Sequence, residues 1–261
     1  MIAKFGIKRE LENKLGITEY ENGNGDFHFH SQIELCLVTE GEIDALVNNN
    51  RDRLKTDELS ISLSYETHMY LPIGNAKFTV LIIPADLCKE FAERVTSKAN
   101  SSPFIKNKTI TEKIALYINE IKKDENCFIT KTGYVYLILG LILKNLSFAE
   151  KNTPSDTDLA HKILMYIHNN FASDITLASV AAQFGYNASY MSQFFKANFN
   201  IGLKRYINII RLNNAISLLK ESHHSITFCA LESGFNSLRT FYRVFYSEFN
   251  CTPQEYIKMQ Q

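Results

Sequence analysis

Between residues 27 and 83 the apolar positions fall in short β-rich runs. IELCLVT (33–39), EIDALVN (42–48), ELSISLS (58–64) and KFTVLIIP (77–84) are separated by the turn-like EG, NNNRDRLKTD and PIGNA. Strands at this spacing, without intervening helices, predict an antiparallel sandwich or small barrel. The period then changes. LCKEFAERV (87–95), ITEKIALYINEIKK (110–123) and GYVYLILGLILKNLSF (133–148) place apolar residues at intervals of three and four, as helices do. The last is apolar nearly all round, which predicts burial within its domain or against another subunit. Polar residues around Pro154 follow, so 149–157 reads as a linker between domains covering 1–148 and 158–261. Beyond it every segment reads as helix, seven in all: DLAHKILMYIHNNF, LASVAAQFG, ASYMSQFFKANF, LKRYINIIRLNNAISLLKES, ITFCALESG, LRTFYRVFYSEF and TPQEYIKM. The fold class expected is multidomain α+β: an N-terminal β-barrel with following helices, then an all-α domain.

Within the helical part a unit occurs twice. TLASVAAQFGYNASYMSQFFKANFN and SITFCALESGFNSLRTFYRVFYSEFN each give a short helix, a glycine followed by an aromatic (Gly185-Tyr186, Gly234-Phe235), and a second helix. Asn187 and Asn236 are the expected N-caps of those second helices. Helix, glycine turn, capped helix is the helix-turn-helix pattern. Met191, Phe194 and Phe195 mark a buried stripe, which leaves Ser189, Ser192, Gln193 and Lys196 on one exposed face. In the second copy Phe241, Val244, Phe245 and Phe249 turn inward. That exposes Arg239, Tyr242, Arg243 and Tyr246, with Leu238 near the helix start, within reach of a thymine methyl. Arginine reads guanine bidentately, glutamine reads adenine and serine is a generalist. The helix between the copies would span roughly 26 Å and could set two recognition helices in successive major grooves. Lys204, Arg205 and Arg211 are candidates for phosphate contact, with solvated surface an equal reading.

Net charge is zero overall, yet residues 161–261 carry nine Lys and Arg against five Asp and Glu. A basic C-terminal part on an acidic N-terminal part suits a polyanionic partner. The five cysteines lie far apart with no C-x-x-C pair, as buried free thiols of a reducing compartment would. No signal peptide is legible, and the longest apolar run, YVYLILGLIL, is about half a membrane span. A cytoplasmic protein without a membrane partner is expected.

ITFCALESGFNSLRTFYRVFYSEFNCTPQEYI closely resembles the signature of the AraC/XylS family of bacterial transcription regulators. The frame matches at Ala230, Gly234, Phe235, Ser237, Phe241, Arg243, Phe245, Phe249, Pro253, Glu255 and Tyr256; the first copy matches more loosely. The resemblance covers 158–261 and implies base contacts from Ser189, Ser192 and Gln193 and from Leu238, Arg239 and Arg243. One departure stands out: the first reading face has no arginine, which implies weaker discrimination there. The implied function is sequence-specific binding of double-stranded promoter DNA, not enzymatic. Implied too are an N-terminal domain that senses a small-molecule effector, RNA polymerase as partner of an activator, and a homodimer formed through the helices of 133–148.

Many members of that family carry an N-terminal cupin barrel, and residues 27–83 resemble one. His28, His30, Glu34 and Gly41 fit the first cupin motif, and His68 falls where the second supplies its histidine. Enzymatic cupins hold a metal with such a set, two histidines and a carboxylate from one strand face being competent ligands. The glycine and proline expected ahead of the second histidine are absent, with Ser64 and Tyr65 in that stretch. The four are therefore read as groups lining an effector pocket, with no metal and no cofactor assigned. The alternative is a cupin metalloenzyme, a dioxygenase or isomerase using the same four side chains, or a metal-responsive regulator.

Overall fold

The computed structural model describes residues 3–12, 14–23, 25–96, 98–100, 102–123, 125, 127–146, 148–150, 156–221 and 224–260. They form two compact units: one of Ala3–Gly6 and residues 14–150, the other of Ile7–Glu12 and residues 156–260.

The first unit is built on β1 (Lys4–Phe5), β2 (Gly16–Glu21), β3 (His28–Phe29), β4 (Ile33–Val47), β5 (Asn50–Lys55), β6 (Leu59–Ser62), β7 (His68–Ile83) and β9 (Phe104–Ile105). They make one sheet in the order β1-β3-β7-β4-β6-β9, with β2 on β7 and β5 on β4. Only the β1–β3 pair is parallel. Two strands are longer than the sequence suggests. EG and PIGNA are not turns; they lie inside β4 and β7, which pair almost end to end. The register slips between Val38 and Glu42, where Gly41 takes φ +78° and a Cβ on it would stand 2.3 Å from Asn75 O. A glycine bulge therefore bends the pair without ending it. NNNRDRLKTD is likewise mostly strand: Val47 pairs Asn50 across a two-residue turn in which Asn48 has φ 51°, and β5 follows.

The bend folds the sheet's two halves toward each other. Cys36 and Val38 from one half of β4 share a buried cluster with Ile43 and Ala45 from its other half, Leu54 of β5, and Tyr70, Phe78, Val80 and Ile82 of β7. Alternate residues Ile33, Leu35 and Leu37 point the opposite way, as a period of two requires. They pack against α2 (Lys89–Thr96), α3 (Lys108–Lys122) and α4 (Phe128–Asn145). β8 (Lys98–Asn100) and β10 (Phe148–Glu150) form a separate antiparallel pair. Helix α4 is buried on one face within this unit. Val135, Ile138, Leu139 and Ile142 are buried, while Phe128, Ile129, Tyr136 and Leu137 are exposed, Ile129 at 81%. An all-apolar helix on the rim of this unit can cover only one of its faces.

The second unit is helical: α1 (Ile7–Glu12), α5 (Asp156–Asn170), α6 (Leu177–Gln183), α7 (Ala188–Phe199), α8 (Leu203–Glu221), α9 (Ile226–Glu232), α10 (Leu238–Phe249) and α11 (Pro253–Gln260). Of the expected linker, 151–155 lies outside the described residues, 149–150 belongs to β10 and 156–157 to α5. Helix α8 is the shared strut, about 28 Å long at 1.5 Å per residue. Tyr206 near its start packs its ring 5.5 Å from that of Phe195 on α7. Leu212, Ala215 and Ile216 in its second half join Ala230 of α9 and Phe241, Val244 and Phe245 of α10 in one core. Helix α1 packs on α8, and Asn213 Nδ2 donates to Glu10 O at 2.6 Å.

Candidate nucleic-acid interface and sheet-interior cluster

The helix–turn–helix grammar is repeated in detail. Thr176 and Ser179 cap α6 reciprocally, and Ser225 caps α9 through Phe228 N. Gly185 and Gly234 take φ +76° and +84° at the two turns. Asn187 Oδ1 caps α7 by accepting from Tyr190 N at 2.8 Å. In the second copy the cap is Ser237, which accepts from Thr240 N at 3.3 Å, and not Asn236 as the sequence suggests. One more residue lies between glycine and helix there, so the serine falls at the cap. Both second helices have twelve residues and end in a left-handed asparagine, Asn200 at φ 53° and Asn250 at φ 55°. The Phe-Asn ending common to both copies was a legible sign of this shared stop.

The surfaces of α7 and α10 agree with helical periodicity. Ser189, Ser192, Gln193 and Lys196 are exposed over buried Met191, Phe194, Phe195 and Phe199. Arg239, Arg243 and Tyr246 are exposed over buried Phe241, Val244 and Phe245. Leu238 and Tyr242 are half-buried; the Tyr242 hydroxyl accepts from Gln254 Nε2 of α11 at 2.9 Å, and Phe249 is also only half-buried. Sequence reasoning missed a stacked ladder beside the first reading face, Tyr186 on Tyr190 at 4.6 Å and Tyr190 on Phe194 at 5.9 Å. The i, i+4, i+8 spacing of those three aromatics was the available signal.

Two phosphate candidates have partners within the chain. Arg205 holds Glu248 through two hydrogen bonds, 2.9 and 3.0 Å, against a carboxylate that is almost fully buried. Arg211 donates to Phe171 O at 2.7 Å and Ser173 O at 2.9 Å, closing the chain just after α5. Their guanidinium groups make contacts within this unit. Lys204 remains exposed.

In the first unit the four residues singled out by sequence converge. His28 comes from β3, His30 from the residue after it, Glu34 from β4 and His68 from the start of β7, where it pairs with His28 in register. His30, Glu34 and His68 are buried and His28 is partly so. Imidazole centroids stand 4.4 to 5.4 Å apart. His30 Nε2 lies 3.2 Å from Glu34 Oε2, and His68 Nε2 lies 3.4 Å from Glu34 Oε1 without hydrogen-bond geometry. Every Nδ1 faces a carbonyl two residues away: Asp26 O at 2.7 Å, Gln32 O at 3.2 Å and Glu66 O at 2.9 Å.

Burial pushes His28 down to about 4, with His68 adding to the effect. For Glu34 burial acts upward, but His68 and His30 outweigh it and hold the carboxyl well below its ordinary range. Burial likewise opposes charge on His68, and Glu34 beside it reverses the sign, so that its pKa is raised. Cys36 and Tyr70 line the same interior, both pushed well up, chiefly by burial. The donor set fits a metal ion: one ligand atom from each of the four lies within 4.8 Å of the others, and the buried His68 Nε2 has no hydrogen-bond partner. Among the described residues no helix is long and apolar enough to cross a membrane.

Comparison with known proteins gives one match within the helical unit and others over most of the chain. Residues 180–259 match the family described as "Helix-turn-helix domain". The melibiose operon regulatory protein of Escherichia coli K12 is 23% identical over 257 residues, spanning 90% of this chain and 84% of its own. The transcriptional activator RhaS of Klebsiella pneumoniae is 22% identical, over 97% of this chain and 93% of its own. A solved structure of ToxT from Vibrio cholerae is similar over 94% of this chain and 98% of its own, with 16% identity and a TM-score of 0.43.

Proposed function

We propose that this chain is a DNA-binding transcription regulator of the AraC/XylS type, which reads promoter DNA with its helical unit under the control of the first unit. The two second helices, α7 and α10, enter successive major grooves on one face of a promoter. Ser189, Ser192, Gln193 and Lys196 meet one half of the site, and Leu238, Arg239, Tyr242 and Arg243 meet the other. The observation that carries this reading is the repetition: two helix pairs with the same turn, caps and C-terminal asparagine, each leaving a polar face exposed. Lone glycine-turned helix pairs are common; a matched pair on one strut in a basic unit is not.

The first unit is the sensor. A small-molecule effector enters the interior of the bent sheet beside His28, His30, Glu34 and His68 and shifts the balance between a binding-competent and an incompetent state. A second copy of the chain covers the exposed side chains of α4, since a soluble chain rarely leaves Phe128, Ile129, Tyr136 and Leu137 in water together. RNA polymerase is the further partner where the site lies upstream of a promoter. Enzymatic turnover in the sheet interior is the competing reading, and the regulators among the relatives favour DNA binding over it. Anisotropy on labelled promoter DNA tests the reading of bases: Arg239→Ala and Arg243→Ala should each lower specific affinity and leave nonspecific binding nearly intact. Full discrimination retained in both would remove these residues from the interface.

A further inference from the structure

We propose that Tyr186 and Tyr190 are DNA-backbone contacts of the first helix-turn-helix, their hydroxyls donating to phosphates along one wall of the groove that α7 occupies. This rests on the reading of α7 as a recognition helix, and it adds two residues outside the face assigned to the bases. The repeat provides the comparison. Asn187 and Ser237 cap the two second helices through the amides of Tyr190 and Thr240, so those two residues hold equivalent places. Tyr186 and Phe235 are equivalent too, each directly after the glycine of its turn.

The two copies use these places differently. Phe235 is 2% exposed and sits in the core against Phe241, with ring centroids 5.2 Å apart. Tyr186 is 39% exposed. Thr240 is half-buried and its hydroxyl lies 3.1 Å from that of Ser237, whereas Tyr190 is 41% exposed. Among the described residues neither tyrosine hydroxyl is bonded to another group. The scaffold thus accommodates an inward aromatic and a short side chain at these places, and the first copy instead turns two tyrosines outward.

The tyrosines are held in place. Tyr186 stacks on Tyr190 with centroids 4.6 Å apart and planes 22° from parallel, and Tyr190 stacks on Phe194 at 5.9 Å and 26°. Phe194 is buried at the root of this ladder. Each ring has its direction fixed before a partner arrives, so little side-chain freedom is lost on contact.

Helical geometry identifies the partner. At about 100° per residue Tyr190 lies about 60° round the helix from Gln193, on the flank of the face assigned to bases. A helix with its side chains is about 10–12 Å across and the major groove about 12 Å wide, so a helix seated there lays its flanks against sugar and phosphate. A tyrosine hydroxyl is a neutral donor that suits a phosphate oxygen. Such contacts fix register without reading sequence, and a reading face that has no arginine depends on them most.

The test uses the full chain in anisotropy on the natural fragment upstream of its own gene and on a scrambled one, over a range of salt. Tyr186→Phe and Tyr190→Phe keep the ladder and remove only the hydroxyls. Each should lower affinity for the natural fragment by about three- to tenfold. The slope of log affinity against log salt should stay as it was, because a neutral donor releases no counterion. Single methylphosphonate linkages stepped along the fragment then locate the contact: a linkage that weakens the unaltered chain should leave Tyr190→Phe unaffected. Unchanged affinity in both phenylalanine variants overturns the proposal, and so does a loss accompanied by undiminished sensitivity to every linkage. Failure of the DNA reading looks different: the unaltered chain itself would show no preference for the natural fragment.

Discussion

Two glycines occupy equivalent turns, yet their surroundings differ. Gly185 at φ +76° has no atom near its missing Cβ, whereas a Cβ on Gly234 would meet Ala172 Cα, Ala172 O and Phe171 O at 2.8 Å. Gly185→Ala should therefore cost about 1–2 kcal/mol, the price of a left-handed backbone alone. Gly234→Ala adds a backbone collision and should cost about twice that or more, read by urea unfolding. Equal costs would mean that the second turn does not pack on the segment after α5. A milder case is Asp44, which accepts from Arg53 Nε at 3.0 Å and Arg51 at 2.8 Å. Hydrogen bonds from Arg53 first, then Arg51, lower its carboxyl below the ordinary aspartate value. A lowered folded value gives stability above the ordinary aspartate range that is lost as pH falls through the folded pKa. Asp44→Asn should thus cost less than about 1 kcal/mol at neutral pH and nothing in strong acid, because both partner arginines are largely exposed.

At the scale of elements, α7 and α10 present different chemistry on the same scaffold. Arg239 and Arg243 can each grip a guanine edge, worth about 1–3 kcal/mol of discrimination, while Ser189 and Ser192 cannot. Base changes in the half-site under α10 should therefore weaken binding more than changes under α7, and Arg243→Ala should relax specificity more than Gln193→Ala. A scan of single-base variants by anisotropy measures both. Helix α4 makes a second prediction: Ile129→Asp or Leu137→Asp should shift the chain toward monomer in sedimentation without unfolding it, since both are exposed within the unit. How much of this was legible in the sequence follows from range. Helix periods, both glycine turns and most of the exposed faces are local and were readable, although Tyr242, expected outside, is half-buried. The long paired strands were not, because EG and PIGNA have turn composition, and only the approach of Gly41 to Asn75 decides that the chain bends there and continues. The partners of Arg205 and Arg211 were not legible for a related reason: Glu248 and the carbonyls after α5 lie about forty residues away in the chain. The four residues of the cluster were legible as a set. Their common tethering through Nδ1 was not, since it depends on where three separate carbonyls come to lie.

For the whole molecule the decisive property is the proposed reading of DNA sequence. Residues 161–261 carry the chain's basic excess, so nonspecific attraction to DNA is expected in any case and is steeply salt-dependent. Specific reading must survive where that attraction fades. The most direct measurement is anisotropy of the full chain on a labelled fragment from upstream of its own gene, against a scrambled fragment, at two salt concentrations. The account predicts tighter binding to the natural fragment, with a preference that holds or grows as salt rises. It also predicts that Arg239→Ala with Arg243→Ala removes this preference and leaves salt-labile binding behind. A preference for the natural fragment undiminished in that double variant would contradict the account, and base reading would have to be sought away from α10.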